Sequence, residues 1–355
     1  MKPHQRFVPL VQTAAGRSKF SGRGRCPRPR GTNLTTGALV LVLASLGITK
    51  TGHSQDLTPN AAPNQWFTGS LEAPSPALPK AGMLALEPYE VIQSNTGIFG
   101  GDGAHHSVAN DTATAETLLV IKYALTDRLT IEALPAISHS WANHASPTGT
   151  TFGDLPIELE YRVSDGNYRN GAPSVTFDVG VTAPTGNYDH LDRPLDGVGV
   201  GAWTLKEGVV VQSLFDTWHN HPVRLRAWAS AFQPLDDPGV TGLSVYGTTA
   251  GFHGAASPGA SAQIGLAGGY ALDRHFVLAL DLVDTYADGF KLNGVDAAEG
   301  AIKTHAPIQN SFALAPALEY NWSADAGLIF GMEFTAAGRN TPSYVAPQIA
   351  LAISF

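Results

Sequence analysis

Apolar and polar residues alternate along most of the chain after residue 80, and the alternation is clearest in the last thirteen residues, 343–355. Val345 and Ile349 fall on one side of this segment, whereas Gln348 and Ala350 fall on the other. Successive side chains of a β-strand point to opposite faces. The pattern therefore predicts a terminal strand with one apolar face.

The same period-two test predicts about twelve strands. Thirty-eight glycines, 24 prolines and a charged fraction of 15 % also suit many short strands and turns better than helices. The predicted bounds are 82–95, 114–125, 128–138, 153–163, 172–183, 197–212, 222–233, 259–271, 275–286, 307–321, 326–338 and 343–355.

Short and long connections alternate along the predicted strands, which is typical of outer-membrane barrels. An even strand number closes the sheet and leaves no unpaired edge. Residues 241–252 read as a possible thirteenth strand, and parity assigns them instead to a long extracellular loop. The predicted fold class is all-β, a closed antiparallel transmembrane β-barrel with short periplasmic turns and long extracellular loops. The terminal Phe355 is the predicted signal for the barrel-assembly machinery.

The first 54 residues have the pattern of a signal peptide with an extended basic leader. Nine Lys or Arg precede or flank an apolar run at 37–48, which is shorter than the roughly 20 residues of a spanning helix. A buried helix of a cytosolic domain is the alternative interpretation. Residues 55–80 are proline-rich and lack periodicity, which predicts a flexible periplasmic tail before a barrel domain at 81–355.

Removal of residues 1–54 would leave thirteen basic and thirty acidic residues, a net formal charge of −17. Such an acidic chain is not expected to bind nucleic acid. The single cysteine, Cys26, would leave with the signal peptide. The rest of the chain therefore offers no disulfide, thiol nucleophile or thiolate metal ligand.

Strict alternation places a set of charged residues on the face opposite the apolar one, where they would line the barrel lumen. One interpretation is structural: these residues form ion pairs across neighbouring strands and stabilise the closed barrel. The functional one is that Arg224 and Arg226 oppose carboxylates elsewhere and orient a polar solute in a constriction. The predicted solute path consists of Glu158, Glu160, Arg162, Asp178, Arg224, Arg226, Trp228, Glu319 and Glu333.

Other chemistry finds little support in the sequence. The histidines do not have the spacing of a three- or four-ligand metal site, so no metal is predicted. No G-x-S-x-G motif or phosphate-binding glycine loop is present, and GVGVGAW at 197–203 suits a strand with a bare lumen face. No catalytic residue and no cofactor are predicted.

Four segments carry a resemblance to a known family: TLLVIKYALTDRLTIEALPAIS (117–138), GDLPIELEYRV (153–163), PSVTFDVGVTAPTGNYD (173–189) and GVGVGAW (197–203). They are similar to the outer-membrane proteins of the phenol degradation meta-pathway family, which are usually called transporters. The resemblance implies passive passage of small, aromatic or apolar compounds across the outer membrane of a Gram-negative bacterium. Both termini are expected in the periplasm. The expected partners are outer-membrane lipids and lipopolysaccharide, the barrel-assembly machinery and a small-molecule solute. A lipase-like barrel enzyme and a loop-mediated binding barrel remain alternatives.

Overall fold

The computed structural model describes residues 65–108, 112–142, 149–217 and 221–355, so the predicted signal peptide at 1–54 lies outside the described residues. Strands dominate this part of the chain, with one 3-10 helical turn at Pro194–Asp196. The strands are Leu84–Phe99 (β1), His105–His106 (β2), Thr112–Ala124 (β3), Leu129–Ala133 (β4), Ala136–Ala142 (β5), Thr151–Phe152 (β6), Leu155–Asn167 (β7), Ala172–Ala183 (β8), Thr204–Asp216 (β9), Pro222–Pro234 (β10), Gly239–Thr241 (β11), Phe252–Ser257 (β12), Ser261–Ala271 (β13), Phe276–Ala287 (β14), Lys291–Asp296 (β15), Gly300–His305 (β16), Gln309–Asn321 (β17), Ala326–Arg339 (β18) and Thr341–Ser354 (β19).

The long strands form a closed antiparallel barrel. Strand β1 pairs with β19 on one side and with β3 on the other, which joins the first and last strands of the sheet. With β4 and β5 counted as the two halves of one strand, the barrel has twelve strands, and the predicted fold class is confirmed. Among the described residues, no helix is long and apolar enough to cross a membrane.

The third barrel strand is interrupted where the sequence predicts a continuous strand at 128–138. Strand β4 ends at Ala133, and β5 begins at Ala136. Pro135 lies in the gap and has no N–H to donate to the ladder. The register with β3 is the same on both sides of the gap, because Ala133 pairs with Ile121 and Ala136 pairs with Leu118. On the other side, the segment from Phe152 to Ile157 holds one residue more than the segment from Ala133 to Ile137 with which it pairs. The hairpin continues beyond the break because Gly153 donates its N–H to the Ala136 carbonyl oxygen (3.0 Å).

Side chains alternate between the two faces of the wall. In β7, Ile157 and Leu159 are exposed, whereas the intervening Glu158 and Glu160 are buried. The outward face is therefore apolar and the inward face polar, as a barrel wall in lipid requires. One acidic residue that departs from this pattern is Glu90, whose carboxylate accepts a hydrogen bond from the Thr117 hydroxyl (2.9 Å).

The connections divide the barrel into two rims. Turns of four or five residues join β3 to β4, β7 to β8, β9 to β10, β13 to β14 and β17 to β18, and we call this end the short-turn rim. The opposite long-loop rim carries most of the longer connections. Two of these contain a second, four-stranded sheet in the order β11-β12-β15-β16, packed on a small core that includes Val240, Phe252 and Leu292. Residues 241–252 belong to this loop region and not to the barrel wall, as predicted.

Candidate functional site: the barrel lumen and its plug

All nine residues of the predicted solute path have buried side chains inside the barrel. Their contact with a solute stays a prediction. The lumen also contains Glu87 and Lys206, which sequence reasoning missed. Lys206 was missed because the strand predicted at 197–212 placed Val198 and Val200 on the outward face, and strict alternation then placed Lys206 on that face as well. The strand starts at Thr204, and Lys206 faces inward on the same side as Val210.

Residues 65–80, which we call the plug, cross the lumen near the short-turn rim. The plug enters beside the β13–β14 turn, where the Arg274 guanidinium lies 4.0 Å from the centre of the Trp66 ring. It leaves beside the β3–β4 turn, where Ala81 donates its N–H to the Asp127 carboxylate (2.8 Å). Both contacts lie at the same rim, so the plug forms a loop across that end of the barrel.

The burial of the plug corrects the prediction of a flexible periplasmic tail at 55–80. For residues 65–80 that prediction is wrong, because every residue from Thr68 to Ser75 is buried within the barrel. The segment has no periodicity because its contacts run to side chains on many strands rather than along one neighbouring strand. A proline-rich chain cannot supply a regular row of N–H donors. Barrel side chains therefore satisfy its backbone groups.

Two barrel carboxylates bind the first half of the plug. Thr68 donates its N–H to Glu319 Oε2 (2.8 Å), and Glu72 donates its N–H to Asp281 Oδ2 (2.6 Å). The Glu72 side chain in turn accepts a hydrogen bond from Gln348 Nε2 (2.8 Å). Hydrogen bonds to a charged acceptor are about twice as strong as neutral ones, so these contacts fix the backbone firmly.

Two barrel arginines bind the carbonyl oxygens of the plug. Arg226 donates from Nη1 to the Ala73 carbonyl oxygen (3.0 Å), and Arg162 donates from Nη1 to the Ala77 carbonyl oxygen (2.7 Å). Arg224 takes a different partner, because its Nη2 lies 2.5 Å from Glu319 Oε1. The arginines of the predicted constriction therefore hold the plug and its carboxylate anchors.

Apolar contacts also hold the plug in the lumen. The Leu71 side chain is fully buried in a cluster with Val120 and Ile329 of the barrel wall. Ala73 packs in a second cluster that contains Trp228, whose ring N–H donates to the Gln263 side chain (3.0 Å). Trp228, predicted on the solute path, thus packs in the same cluster as the plug.

A row of charged residues crosses the wall from β3 to β9. Lys122 lies 2.9 Å from Glu160 Oε2 and 3.8 Å from Glu132 Oε2. Lys206 lies 2.5 Å from Glu158 Oε2 and 2.9 Å from Asp178 Oδ1. Each ammonium group thus has two carboxylate partners, and we call these two sets the lysine triads. All six side chains are buried.

The lysine triads explain a close group of acidic side chains. Carboxylate oxygens of Glu132, Glu158 and Glu160 lie within 4.8 Å of one another, close enough to share a cation. Lys122 and Lys206 already supply cationic groups to these carboxylates. The arrangement is therefore an internal salt-bridge network, and we do not propose a metal site there.

A cavity of about 140 Å³ lies in the long-loop half of the lumen, above the plug. Apolar side chains such as Leu118, Leu134 and Phe232 form much of its wall. Its polar wall contains Glu116 and Glu158. In the part of the chain that the structure describes, no Lys, Arg or His lines this cavity.

The connection between β8 and β9 closes one side of the cavity through Asp154. The Asp154 carboxylate accepts hydrogen bonds from the N–H groups of Gly186 (2.9 Å) and Val200 (2.8 Å). Burial raises the pKa of Asp154, whereas these two donors oppose the rise. We call this arrangement the Asp154 clamp. Asp154 lies in the segment between Phe152 and Ile157, which holds one extra residue relative to the neighbouring strand, and such a bulge re-aims the neighbouring side chain.

Gly199 lies against the Asp154 clamp and Gly201 against the Tyr188 ring. The strand predicted from residue 197 begins only at Thr204, so for residues 197–203 the prediction is wrong. Gly199 has φ +89° and Gly201 has φ +75°, far from the negative φ of a regular strand. A Cβ atom at Gly199 would overlap the Asp154 carboxylate, and one at Gly201 would overlap the Tyr188 ring. Glycine is required at both positions because it alone tolerates the backbone angle and the close approach.

The fold defines the class of protein: a twelve-stranded β-barrel of the outer-membrane type. The chain is similar to the COG4313 outer membrane channel from Pseudomonas putida F1, with a TM-score of 0.54 and 18 % identity over 80 % of this chain and 97 % of that one. At this identity the likeness shows the fold alone.

Two further solved structures match the chain at lower similarity. The transport unit of the autotransporter AIDA-I from Escherichia coli has a TM-score of 0.47 and 10 % identity over 78 % of this chain and 91 % of that one. A mutant of the TodX monoaromatic hydrocarbon channel has a TM-score of 0.37 and 11 % identity over 77 % and 90 %. No protein-family model and no curated protein matches the sequence. The family resemblance drawn from the strand sequences therefore stays a prediction.

Proposed function

We propose that this protein is a passive channel of the outer membrane for small compounds with an apolar body. The observation that carries the proposal is the cavity of about 140 Å³ in the long-loop half of the lumen. Leu118, Leu134 and Phe232 give it apolar walls that lower the cost of moving a ring or short alkyl chain out of water. An apolar cavity of about 150 Å³ is large enough to hold benzene.

The plug makes this channel a gated one. It lies between the cavity and the short-turn rim, and side-chain contacts rather than strand pairing hold it. These contacts are independent of the barrel ladder, so the plug can shift while the wall stays intact. We expect passage to require that shift, because every residue from Thr68 to Ser75 is buried inside the barrel.

We propose that the long-loop rim faces the outside of the cell and the short-turn rim faces the periplasm. Short periplasmic turns and long external loops are the rule for such barrels. In this orientation a solute enters the cavity from outside, and the plug controls its exit to the periplasm. Lipopolysaccharide and phospholipid then contact the apolar outward face of the barrel.

Planar-bilayer recording of the purified protein tests the proposal. We expect a small conductance for the wild type and a larger one for a variant that lacks residues 65–80, because the deletion leaves the strands and their pairing unchanged. Retained heat-modifiable migration on gels would establish that the deletion variant is folded. If a folded deletion variant conducts no ions, the channel proposal is wrong.

Loop-mediated binding is the second candidate, and the ordered sheet of β11, β12, β15 and β16 favours it. This sheet presents Lys291, Lys303 and His305 on exposed positions of neighbouring strands. A barrel that serves only as a base for this sheet would conduct nothing even without its plug. The bilayer experiment therefore separates the two candidates.

A further inference from the structure

The sheet of β11, β12, β15 and β16, which we call the loop sheet, continues the barrel wall beyond the long-loop rim. Its strands lie in the order β11-β12-β15-β16, and the barrel strands to which they connect lie in the order β10-β13-β14-β17. Three or four residues join each loop strand to its barrel strand. The loop sheet therefore extends one sector of the wall.

One face of the loop sheet packs over the lumen, and the other face is exposed. The packed face contributes Phe252 and Leu292 to a small core that also contains Tyr246. The Tyr246 hydroxyl donates to the carbonyl oxygen of Val200, which lines the lumen cavity. The core therefore lies on the lumen side, and the opposite face points away from the barrel axis.

The exposed face of the loop sheet is basic. Lys291 pairs with His305, and Asn293 pairs with Lys303, so these exposed side chains share the face opposite Leu292. Lys291 and Lys303 are diagonal neighbours, which lie about 7–8 Å apart in an antiparallel ladder. In the described strands of the loop sheet, no Asp or Glu falls on this face.

A groove at the base of the β15–β16 hairpin adds a third cation. Its volume is about 580 Å³, and Arg339 is the one charged residue that lines it in the described part of the chain. Tyr286 pairs with Asn310, which pairs with Arg339, so the three side chains lie on one face of adjacent strands. This face is the outward one, because Leu280 is exposed on the same side of β14.

The three cations lie where the apolar wall ends. Tyr286 is exposed near the end of β14, five residues before Lys291, and an exposed tyrosine at a strand end is typical of the membrane–water interface. Two carboxylates near this boundary accept hydrogen bonds, Asp284 from Asn310 Nδ2 (2.9 Å) and Asp288 from the Tyr286 hydroxyl (2.7 Å). The cations are therefore at the level of lipid head groups.

We propose that Lys291, Lys303 and Arg339, which we call the basic surface, bind the phosphate groups of lipopolysaccharide. The proposal rests on the outward orientation of the long-loop rim proposed above and is independent of conduction through the lumen. The chain carries a formal net charge of −8, so attraction of an anionic lipid depends on a local cluster of cations. Lipopolysaccharide fits better than a free anion, because the basic surface is continuous with the apolar outward wall, against which acyl chains pack.

Native mass spectrometry of the purified protein in detergent tests the proposal. The probes are a short-chain lipopolysaccharide and the same molecule after enzymatic removal of its phosphates. We expect the dephosphorylated form to be retained about tenfold more weakly, because its charge-assisted contacts to Lys and Arg are lost. A triple variant, Lys291→Gln, Lys303→Gln and Arg339→Gln, should bind both forms equally weakly.

The matched control removes three exposed charges at the short-turn rim, through Lys80→Gln, Arg128→Gln and Arg169→Gln. It should bind phosphorylated lipopolysaccharide as the wild type does. Heat-modifiable migration on gels establishes that both triple variants are folded.

The orientation is tested separately with Glu299→Cys, at the exposed turn between β15 and β16. The only native cysteine, Cys26, lies in the predicted signal peptide. A membrane-impermeant maleimide should label the variant in intact cells. Labelling only after the outer membrane is permeabilised would overturn the orientation and this proposal with it.

The outcomes separate this proposal from the channel. Equal binding of phosphorylated lipopolysaccharide by the wild type and the folded triple variant of the basic surface overturns it, as does equal binding of both probes by the wild type. If phosphatidylglycerol binds the wild type as tightly and is lost in the same variant, the basic surface is a general anion site and the assignment to lipopolysaccharide is wrong. None of these results changes the expected conductance, and absence of conductance leaves the binding result standing.

Discussion

Arg224 and Glu319 form a buried ion pair, with Arg224 Nη2 2.5 Å from Glu319 Oε1. The other carboxylate oxygen of Glu319 accepts the Thr68 N–H of the plug (2.8 Å). The Arg224 guanidinium also lies 4.9 Å from the centre of the Phe67 ring. The ion pair therefore contacts the plug as well as joining two strands of the barrel wall.

Arg224→Ala should loosen the plug and raise the conductance of the folded protein. Loss of one partner leaves the Glu319 carboxylate buried without its ion pair, which typically costs about 3–5 kcal/mol. The hydrogen bond from the Thr68 N–H of the plug to this carboxylate should then weaken as well. Single-channel recording measures the conductance, and heat-modifiable migration reports whether the barrel is folded.

Arg128→Ala is the matched control, because Arg128 forms an exposed ion pair with Asp165 (2.9 Å) at the short-turn rim. An exposed pair contributes about 0–1 kcal/mol, so conductance and folding should stay as in the wild type. Equal conductance in the two variants would show that the ion pair between Arg224 and Glu319 does not hold the plug in place.

Leu71→Asp should expel the plug from the lumen. The Leu71 side chain is fully buried among apolar residues, and an isolated carboxylate there has no compensating partner. We expect higher conductance and trypsin cleavage after the exposed Lys80 at lower protease concentration. Leu71→Met keeps the volume of the side chain, which usually costs less than about 1.5 kcal/mol, and should behave as the wild type.

Leu266→Arg should destabilise the barrel in the membrane. Leu266 lies near the middle of β13 with 58 % of its surface exposed on the outward face. A charged Arg near the bilayer midplane costs about 2–4 kcal/mol. The midpoint of urea unfolding in lipid vesicles should fall accordingly.

Val295→Arg tests whether lipid is the cause of that loss. Val295 is almost equally exposed, at 57 %, but lies on the loop sheet in β15. The arginine there remains in water if the loop sheet projects from the membrane, so the unfolding midpoint should not change. A similar loss of stability in both variants would contradict the assignment of the outward barrel face to lipid.

Gly199→Ala should disrupt the Asp154 clamp. The positive φ of Gly199 disfavours an L-residue by about 1–2 kcal/mol, and the new Cβ would overlap the Asp154 carboxylate. We expect faster chymotrypsin cleavage in the β8–β9 connection. Gly239→Ala has open space for its Cβ and no positive φ, and it should leave the cleavage rate unchanged.

Phe355→Ser tests the role of the terminal ring in assembly. The backbone N–H of Phe355 donates to the Leu84 carbonyl oxygen (2.8 Å), and the serine variant keeps this bond. The Phe355 side chain is 65 % exposed, so its loss should cost the folded barrel little. We expect a reduced yield of assembled protein in cells but normal refolding in vitro, whereas Phe355→Tyr should assemble normally. Equal yields of all three proteins would show that the ring is not part of the assembly signal.

The sequence by itself determined the barrel wall. A strand with one face in lipid and one in the lumen must alternate with period two, and this local rule places Glu158, Glu160 and Arg162 inside without knowledge of the partner strands. Closure also follows, since an open edge in lipid leaves backbone groups unpaired. The alternation depends only on residues two positions apart, so it can be read along the chain.

Only the tertiary structure decided what the inward side chains do. Thr68 and Glu319 are 251 positions apart, and no local pattern signals that a proline-rich segment will use side chains of distant strands as hydrogen-bond partners. The triad of Lys206 likewise requires the true phase of β9, which sequence periodicity obscured because Gly199 and Gly201 imitate a strand. Closure of the wall brings these groups together, and their charges and burial then decide which of them hold the plug and which face the solute path.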